Sequence, residues 1–224
     1  MTRPGTIVFT GPSLRPTDLV ELRALATKTG HDLDIRPPVR RLDLVEVVEA
    51  GGIDRVLILD GEFGQSLAVS ITEIRTVLAA GQPLAGASSM GALRAVECRT
   101  LGMRGSGWVY EQYLSGAIES DGDVALLFDP EDYSPVTVPL ANVRWLLDHT
   151  ELSVEDAQQA LRVAHGVHFR DRRPSHLLRR WKEQLPAGVV ELLEPELADD
   201  RRDNWDRKRL DALEAVRAVL KEES

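Results

Sequence analysis

The chain has 224 residues, 43% of them hydrophobic, and a formal net charge of −9 at pH 7. This composition is typical of a globular protein with a core of its own, and the negative charge argues against a general nucleic-acid binder. The single cysteine, Cys98, excludes an internal disulfide and is expected to be a packed thiol. Because no stretch resembles a signal peptide or reaches membrane-spanning length, we expect a cytoplasmic protein.

Short apolar runs alternate with helical patterns over the first hundred residues. Strands are predicted over 6–11, 32–37, 55–61 and 83–87, and helices over 17–30, 42–52, 69–81 and 90–100. Thr17 is expected to cap the first helix and Gly30 to follow its end. Continuous apolar strands that alternate with helices predict an α/β fold, with a mainly parallel sheet flanked by helices.

The pattern changes after residue 100. A helix is predicted over 107–118, a strand over 123–130 and a helix over 137–150, and beyond these only helices, over 153–166, 174–185 and 202–223. We therefore predict an α/β core domain over residues 1–150 and an α-helical C-terminal extension over residues 151–224. Trp181 and Trp205 are expected to be buried in that extension, because aromatic side chains bury the most surface.

Polar and small residues follow each of the four predicted strands. These residues are Gly11, Pro12 and Ser13, then Arg36, Arg40 and Arg41, then Asp60 and Gly61, and finally Ser88 and Ser89. Ligands of open parallel sheets bind beyond the carboxyl ends of the strands, so these residues are expected to converge on one edge. The arginines suit a carboxylate or a phosphate, although a solvated loop is the alternative interpretation.

The segment GASSMGALRA, residues 86–95, has the spacing of a nucleophile elbow. Ser89 has a small residue on each side at a distance of two, Ala87 and Gly91, between a predicted strand and a predicted helix. The N–H groups at the start of that helix would face a developing oxyanion. The alternative is that Ser88 and Ser89 only cap the helix, and that the small residues serve helix–sheet packing.

A serine nucleophile needs a base, and the sequence places none beside Ser89. The five histidines follow no early strand, and the pattern brings none of the lysines to this turn. Asp60 is the best local candidate, with a turn or capping role as the alternative. His165 and His168 lack a third ligand, and residues 11–13 lack the glycines and lysine of a P-loop, so we expect neither a metal nor another cofactor.

Five segments together resemble the successive motifs of the TfuA-like family. They are VFTGPSL (8–14), RPPVRRLDL (36–44), LDGEF (59–63), ASSMGALRAVE (87–97) and LANVR (140–144). The resemblance implies an accessory protein that works with a YcaO enzyme in peptide backbone thioamidation, mostly in ribosomally synthesised natural products. Such proteins are associated with releasing sulfide from a thiocarboxylated, ubiquitin-like sulfur carrier protein; the precursor peptide would be only an indirect partner.

The resemblance also implies a hydrolase-like site with a serine–lysine pair, in which Ser89 is the serine. The positions that match the family motifs are Gly11, Pro12, Ser13, Asp43, Asp60, Gly61, Arg94, Glu97, Asn142 and Arg144. Ser88, Met90 and Gly91 of the serine turn join them as binding candidates, together with Arg40 and Arg41. One position departs from the family pattern, because Thr72 stands where the lysine is expected, and threonine accepts no proton at neutral pH.

Three functions therefore stay open at this point. The first is an enzyme that hydrolyses a protein thiocarboxylate at Ser89. The second is a scaffold that docks the YcaO enzyme with its peptide or sulfur donor and performs no chemistry. The third is a serine hydrolase of small esters or amides. The serine turn favours hydrolysis, and the absence of a histidine or lysine base favours the scaffold.

Overall fold

The computed structural model describes residues 5–64 and 66–221. Within these ranges, five strands form one parallel sheet in the order β2-β1-β3-β4-β5. The strands are β1 (Gly5–Phe9), β2 (Asp32–Arg36), β3 (Arg55–Ile58), β4 (Leu84–Ala87) and β5 (Arg104–Ser106). The predicted α/β fold with a mainly parallel sheet is confirmed.

Eleven α-helices lie within the described ranges. They are α1 (Pro16–Thr29), α2 (Asp43–Ala50), α3 (Ile71–Ala79), α4 (Met90–Glu97), α5 (Trp108–Ser115), α6 (Leu140–Asp148), α7 (Val154–His165), α8 (Pro174–Gln184), α9 (Ala187–Leu193), α10 (Arg202–Trp205) and α11 (Arg207–Val219). None of these helices is long and apolar enough to cross a membrane.

The central strands of the sheet are covered on both faces because they are apolar on both sides. In β1, Ile7 and Phe9 belong to a core cluster with α2, α3 and the end of α4. Val8, between them, belongs to a second cluster with α1 and α11. Alternate residues of a strand point to opposite faces, so one short strand contributes to both layers.

The described chain divides into two compact units. The first comprises Met1–Glu119 with Lys208–Ser224, and the second comprises Ser120–Arg207. The boundary predicted at residue 150 lies inside the second unit, and nearly all of α11 belongs to the first. The second unit has its own core of helices α6–α10, in which Trp181 and Trp205 are buried as expected.

Three local predictions differ from the structure. The predicted strand over 123–130 is wrong, since this segment forms an isolated bridge from Phe128 to Pro135 instead of a strand; Val124 and Ala125 are buried, and residues 126–128 are half-buried. Strand β5 is missing from the prediction because RGS has no apolar run. Helix α1 begins at Pro16 rather than at a Thr17 cap, and the Asp18 carboxylate accepts the Arg15 N–H instead. Gly30 ends α1 as expected, in a left-handed conformation.

Candidate active site

The candidate site lies at the carboxyl edge of the sheet, where the strand order reverses between β1 and β3. The N–H groups of Leu59 and Asp60 both donate to the Phe9 carbonyl, at 2.9 and 3.2 Å, and bring the ends of these strands together. Such a reversal is the position where open parallel sheets bind ligands. The loops after β1, β3 and β4 therefore meet where the chemistry was expected.

Asp60 holds the loop that follows β1. Its Oδ2 accepts the N–H groups of Gly11 and Ser13 at 2.8 and 2.9 Å, and its Oδ1 accepts the Ser13 hydroxyl at 2.7 Å. Pro12 lies between them in a turn closed by the Leu14 N–H and the Gly11 carbonyl. Asp60 is 3% exposed, and no hydrogen bond among the described residues joins it to Ser89. Its contacts are those of a loop anchor.

Ser88 is the strained residue of the serine turn. Its φ is 68°, a left-handed conformation that costs a non-glycine residue about 1–2 kcal/mol, and it is completely buried. Its hydroxyl lies 2.8 Å from the Ser13 Oγ and 2.8 Å from the Lys208 carbonyl oxygen. A serine has one hydroxyl proton, so Ser88 donates to one of these acceptors at a time. Ser88 is thus fully occupied by the protein itself.

Ser89 precedes α4 as its N-cap and is 2% exposed. Its N–H donates to the carbonyls of Ala87 and Leu59, and the Gly91 N–H donates to the same Leu59 carbonyl at 3.2 Å. The N–H groups of Ser89 and Gly91, at the start of α4, therefore donate to protein carbonyls and are not free for an oxyanion. The Ser89 hydroxyl, in contrast, makes no hydrogen bond to any residue that the structure describes. Ser89 is nevertheless buried, so its hydroxyl lacks an internal partner without being open to the surface.

The small residues around Ser89 are required by the close approach of α4 to the sheet. A Cβ at Gly91 would lie 1.8 Å from the Ile58 carbonyl oxygen, and a Cβ at Gly86 would lie 2.1 Å from the Gly91 carbonyl oxygen. Both distances are far below any real contact, so only glycine fits at these two positions. Met90 is also confined, since a Cβ at Gly61 would lie 2.9 Å from its Cγ.

Helix α11 supplies a part of this region that the sequence analysis did not predict. The Lys208 carbonyl accepts from Ser88, and Lys208 as a whole is 2% exposed. On the next residue, the Arg209 guanidinium binds both carboxylate oxygens of Asp18 in α1, at 2.7 and 2.8 Å. No local pattern points to these contacts, because Lys208 is 120 residues away from Ser88 along the chain.

The loop between β2 and α2, residues 37–42, carries Arg40 and Arg41 and is called the arginine loop here. Backbone hydrogen bonds to the segment after β3 hold it in place. The Val39 N–H donates to the Asp60 carbonyl, and the Arg41 N–H donates to the Leu67 carbonyl at 2.8 Å. The Asp43 carboxylate accepts the Arg40 N–H at 2.7 Å, so Asp43 closes the turn before α2. Both Arg40 and Arg41 are exposed, which leaves their side chains at the rim of the carboxyl edge.

Arg94 and Glu97 interact with each other and with the segment before α3. The Arg94 Nε donates to the Val69 carbonyl at 3.1 Å, and its Nη1 lies 2.5 Å from the Glu97 carboxylate. This pair ties α4 to the chain that enters α3. Thr72, the position of the expected lysine, is exposed near the start of α3.

Asn142 and Arg144 lie on α6, in the second unit. The Asn142 amide donates to the Asp206 carboxylate at 2.8 Å, and the Arg144 Nε lies 3.5 Å from the Asp123 Oδ1. Asn142, Asp206 and Asp123 are all buried. These residues form two polar pairs within that unit, and Arg144 is half-buried.

Neither the cysteine nor a metal site adds a reactive group to this region. Burial raises the pKa of the Cys98 thiol, which packs in the core beneath α4. Among the described residues, no group of three His, Cys, Asp or Glu side chains is arranged to hold a metal ion.

Comparison with models of protein families gives a match. A family model described as TfuA-like protein matches residues 60–173, which extend from Asp60 through the serine turn and α6 to the end of the segment before α8. No curated protein matches the chain. The match includes Ser89 and ends well before α11.

Proposed function

Because the chain belongs to the TfuA-like family, which is associated with peptide thioamidation, we propose that it releases sulfide from a thiocarboxylated sulfur carrier protein beside a YcaO enzyme. The net reaction converts the carrier thiocarboxylate and water into the carrier carboxylate and hydrogen sulfide. The freed sulfide would then serve the thioamide-forming step of the YcaO enzyme.

In this proposal the Ser89 Oγ attacks the carbonyl carbon of the thiocarboxylate. The C–S bond breaks and hydrosulfide leaves, which gives a carrier ester on Ser89. Water then attacks that ester, returns the serine hydroxyl and frees the carrier carboxylate. A thiocarboxylate is already anionic and resists attack, so we expect slow turnover in which contacts to the developing oxyanion matter most.

The observation that carries this proposal is that the buried Ser89 hydroxyl has no hydrogen-bond partner among the described residues. Ser88 and Ser13, which are close to it, are both engaged in hydrogen bonds within the protein. Ser89 follows β4 at the carboxyl edge, where its N–H donates to the Leu59 carbonyl after β3, and its hydroxyl has no partner among the described residues. A hydroxyl kept at such a position without an internal partner is suited to a substrate group.

The base in this mechanism is a second part of the proposal. Asp60 already accepts three hydrogen bonds at 2.9 Å or less, all from the loop after β1. Lys208 is a buried lysine whose backbone adjoins the serine turn, and its neutral amine is the form that could accept a proton. Buried lysines serve as general bases in enzymes. We therefore assign the proton-accepting role to Lys208, because Thr72 occupies the position at which the family has its lysine.

Arg40 and Arg41 are proposed to hold the anionic tail of the carrier protein. Both are exposed on a loop that Asp60 and Leu67 fix through backbone hydrogen bonds. Arg40 also pairs with Glu62 at 3.2 Å, a surface ion pair of little energetic value that a carboxylate ligand could replace.

A non-catalytic scaffold is the second candidate function. It is favoured by one observation, which is that no described hydrogen bond links Ser89 to a base. In that case the carboxyl edge would bind the carrier or the YcaO enzyme and leave the release of sulfide to another protein.

One experiment separates the two functions. Sulfide release from the thiocarboxylated carrier protein is measured for the wild type, Ser89→Ala and Thr72→Lys, alongside association with the YcaO enzyme. Hydrolysis predicts that Ser89→Ala loses sulfide release and keeps association, and that Thr72→Lys releases sulfide faster if residue 72 reaches Ser89. Equal release by the wild type and Ser89→Ala would leave the scaffold as the function.

The assignment of the base has its own test. Lys208→Met keeps an unbranched side chain of nearly the same length and removes the amine, so it should lower the rate of sulfide release while carrier binding persists. Lys182→Met is the matched control, since Lys182 is half-exposed and pairs with Glu194 in the second unit. Unchanged release by Lys208→Met would remove the lysine from the mechanism and leave the role of Ser89 to be judged separately.

A further inference from the structure

Helix α11 lies outside the segment that matches the family, yet it reaches the serine turn. The matched residues end at 173, and α11 spans Arg207–Val219. Its contact with the turn is the hydrogen bond from the Ser88 hydroxyl to the Lys208 carbonyl, 2.8 Å long. We propose that α11 is a positioning element of the site, which holds the Ser88–Ser89 turn through this bond.

The conformation of Ser88 needs such support. A non-glycine residue at a φ of 68° is strained, and strain of this kind persists only where surrounding contacts enforce it. The polar contacts of Ser88 are Ser13 on one side and Lys208 on the other. Ser13 is in turn fixed by Asp60, so one side of the clamp is built from the loop after β1 and the other from α11.

Two acidic residues fix α11 against the rest of the first unit. Asp18 in α1 binds the Arg209 guanidinium in a bidentate pair, in which the Asp18 side chain is 3% exposed. Asp211, which is completely buried, accepts the N–H groups of Trp108 and Val109 at the start of α5, at 3.0 and 2.8 Å. Lys208 is adjacent to Arg209 and one turn from Asp211, so these anchors also set the position of its carbonyl.

The orientation of Ser89 follows from that of Ser88. The Ser89 N–H donates to the carbonyls of Ala87 and Leu59, and both bonds depend on the reversal of the chain at Ser88. A displaced α11 would therefore change the orientation of the Ser89 hydroxyl, while the loop with Arg40 and Arg41 keeps its position. In kinetic terms, we expect kcat to fall while KM for the carrier protein stays constant.

Hydrogen exchange of the full chain tests this positioning role without any assumption about the reaction. The probes are the amides of Ser89 and Gly91, compared between the wild type and Arg209→Ala. Loss of the Arg209–Asp18 pair should speed their exchange by roughly 5-fold or more, the effect of losing about one hydrogen bond. Arg209→Lys should restore part of the protection, since it keeps a cation beside Asp18.

Arg217→Ala is the matched control on the same helix. Arg217 also reaches α1, but its contact with Glu21 is 3.8 Å long and both side chains are exposed, so its loss should leave the two amides unchanged. If Arg209→Ala does not fold, Ser88→Ala against Ser89→Ala provides the same comparison. Only the Ser88 variant removes the bond to α11, so only that variant should speed the exchange.

The kinetic part of this inference depends on the proposed function, and the exchange part does not. A wild type that releases no sulfide would end the proposed hydrolysis and leave the exchange result intact. The positioning role is overturned if the Ser89 and Gly91 amides exchange at the wild-type rate in both Arg209→Ala and Ser88→Ala. A drop in kcat at constant KM in Arg209→Ala, with Arg217→Ala unchanged, supports the inference together with the exchange.

Discussion

The amino edge and the carboxyl edge of the sheet in the first unit differ in their backbone strain and in their polar groups. At the amino edge a cavity of about 490 Å³ is lined by residues that include Arg55, Gln82 and Arg104. Two positions there with positive φ, Gly81 and Gly102, are both glycines. At the carboxyl edge the left-handed positions include Leu42 and Ser88, which are strained.

This difference supports the proposal that the carboxyl edge carries the reaction. Glycine removes backbone strain at no steric cost, so a strained serine in place of glycine suggests that the side chain is needed there. The carboxyl edge also concentrates the hydrogen bonds of Asp60, Ser13 and Ser88 in one network. The cavity of about 490 Å³ lies at the opposite edge from the proposed reaction.

The largest expected effect on stability comes from a glycine-to-alanine substitution, which we compare at one glycine of each edge. Gly91→Ala places a Cβ 1.8 Å from the Ile58 carbonyl oxygen, so it should lower the free energy of unfolding by about 4 kcal/mol or more, or abolish cooperative folding. Gly81→Ala meets no atom within 4 Å and is strained only by its φ of 79°, which should cost about 1–2 kcal/mol.

Chemical denaturation of both glycine variants measures these costs. Equal losses of stability at the two positions would mean that the close approach of α4 to β3 is not required.

An intermediate effect is expected for the two aspartates that flank β3. Asp60→Asn weakens three hydrogen bonds to a buried carboxylate, and the unfolding free energy should fall by about 2–3 kcal/mol. Asp54→Asn, at the amino end of the same strand, affects one bond to the Gly5 N–H at an exposed residue and should cost less than about 1 kcal/mol.

Denaturation curves at neutral pH decide this comparison. A larger cost for Asp54→Asn than for Asp60→Asn would contradict the view that the carboxyl edge holds the rigid network.

A smaller, pH-dependent effect is expected where α11 meets α1. Burial by itself would raise the pKa of Asp18, but the hydrogen bonds from Arg209 and the Arg15 N–H, with the charges of both arginines, outweigh burial and lower that pKa. A lowered pKa stabilises the folded state above the unfolded value of about 3.9 and loses this contribution as the pH falls through the folded value.

Asp18→Asn should therefore be less stable than the wild type by about 1–2 kcal/mol at pH 7, with the difference shrinking below about pH 4. Urea denaturation from pH 3 to pH 7 gives this profile. A difference that stays constant over the whole range would mean that the charge of Asp18 does not fasten α11.

Much of the fold was predictable because it is encoded locally. The apolar runs of β1, β3 and β4 and the periodic helices between them give the parallel sheet, and Gly30 marks the end of α1 as predicted. The edge strand β5 was not predictable from RGS, whose pairing depends on its neighbour β4. The apolar residues of 123–130 were mistaken for a strand because burial and pairing give similar patterns.

The candidate site was predictable only where it is local. The serine turn follows from small residues near Ser89, and the structure adds that Gly86 and Gly91 are the two that have no room for a Cβ. The strain at Ser88 and its contact with Lys208 were not predictable, because they arise from residues 120 positions apart. Predicting residues 151–224 as a separate extension concealed this contact, since α11 belongs to the first unit.

The most direct test of the central claim compares one substitution at each edge for sulfide release from a thiocarboxylated carrier protein, under single-turnover conditions. The claim is that the carboxyl edge carries the reaction, so Ser89→Ala should slow release by at least about 100-fold. Arg104→Ala, in the cavity of the amino edge, should release sulfide at the wild-type rate. Wild-type release by Ser89→Ala, with loss of release by Arg104→Ala, would contradict the account.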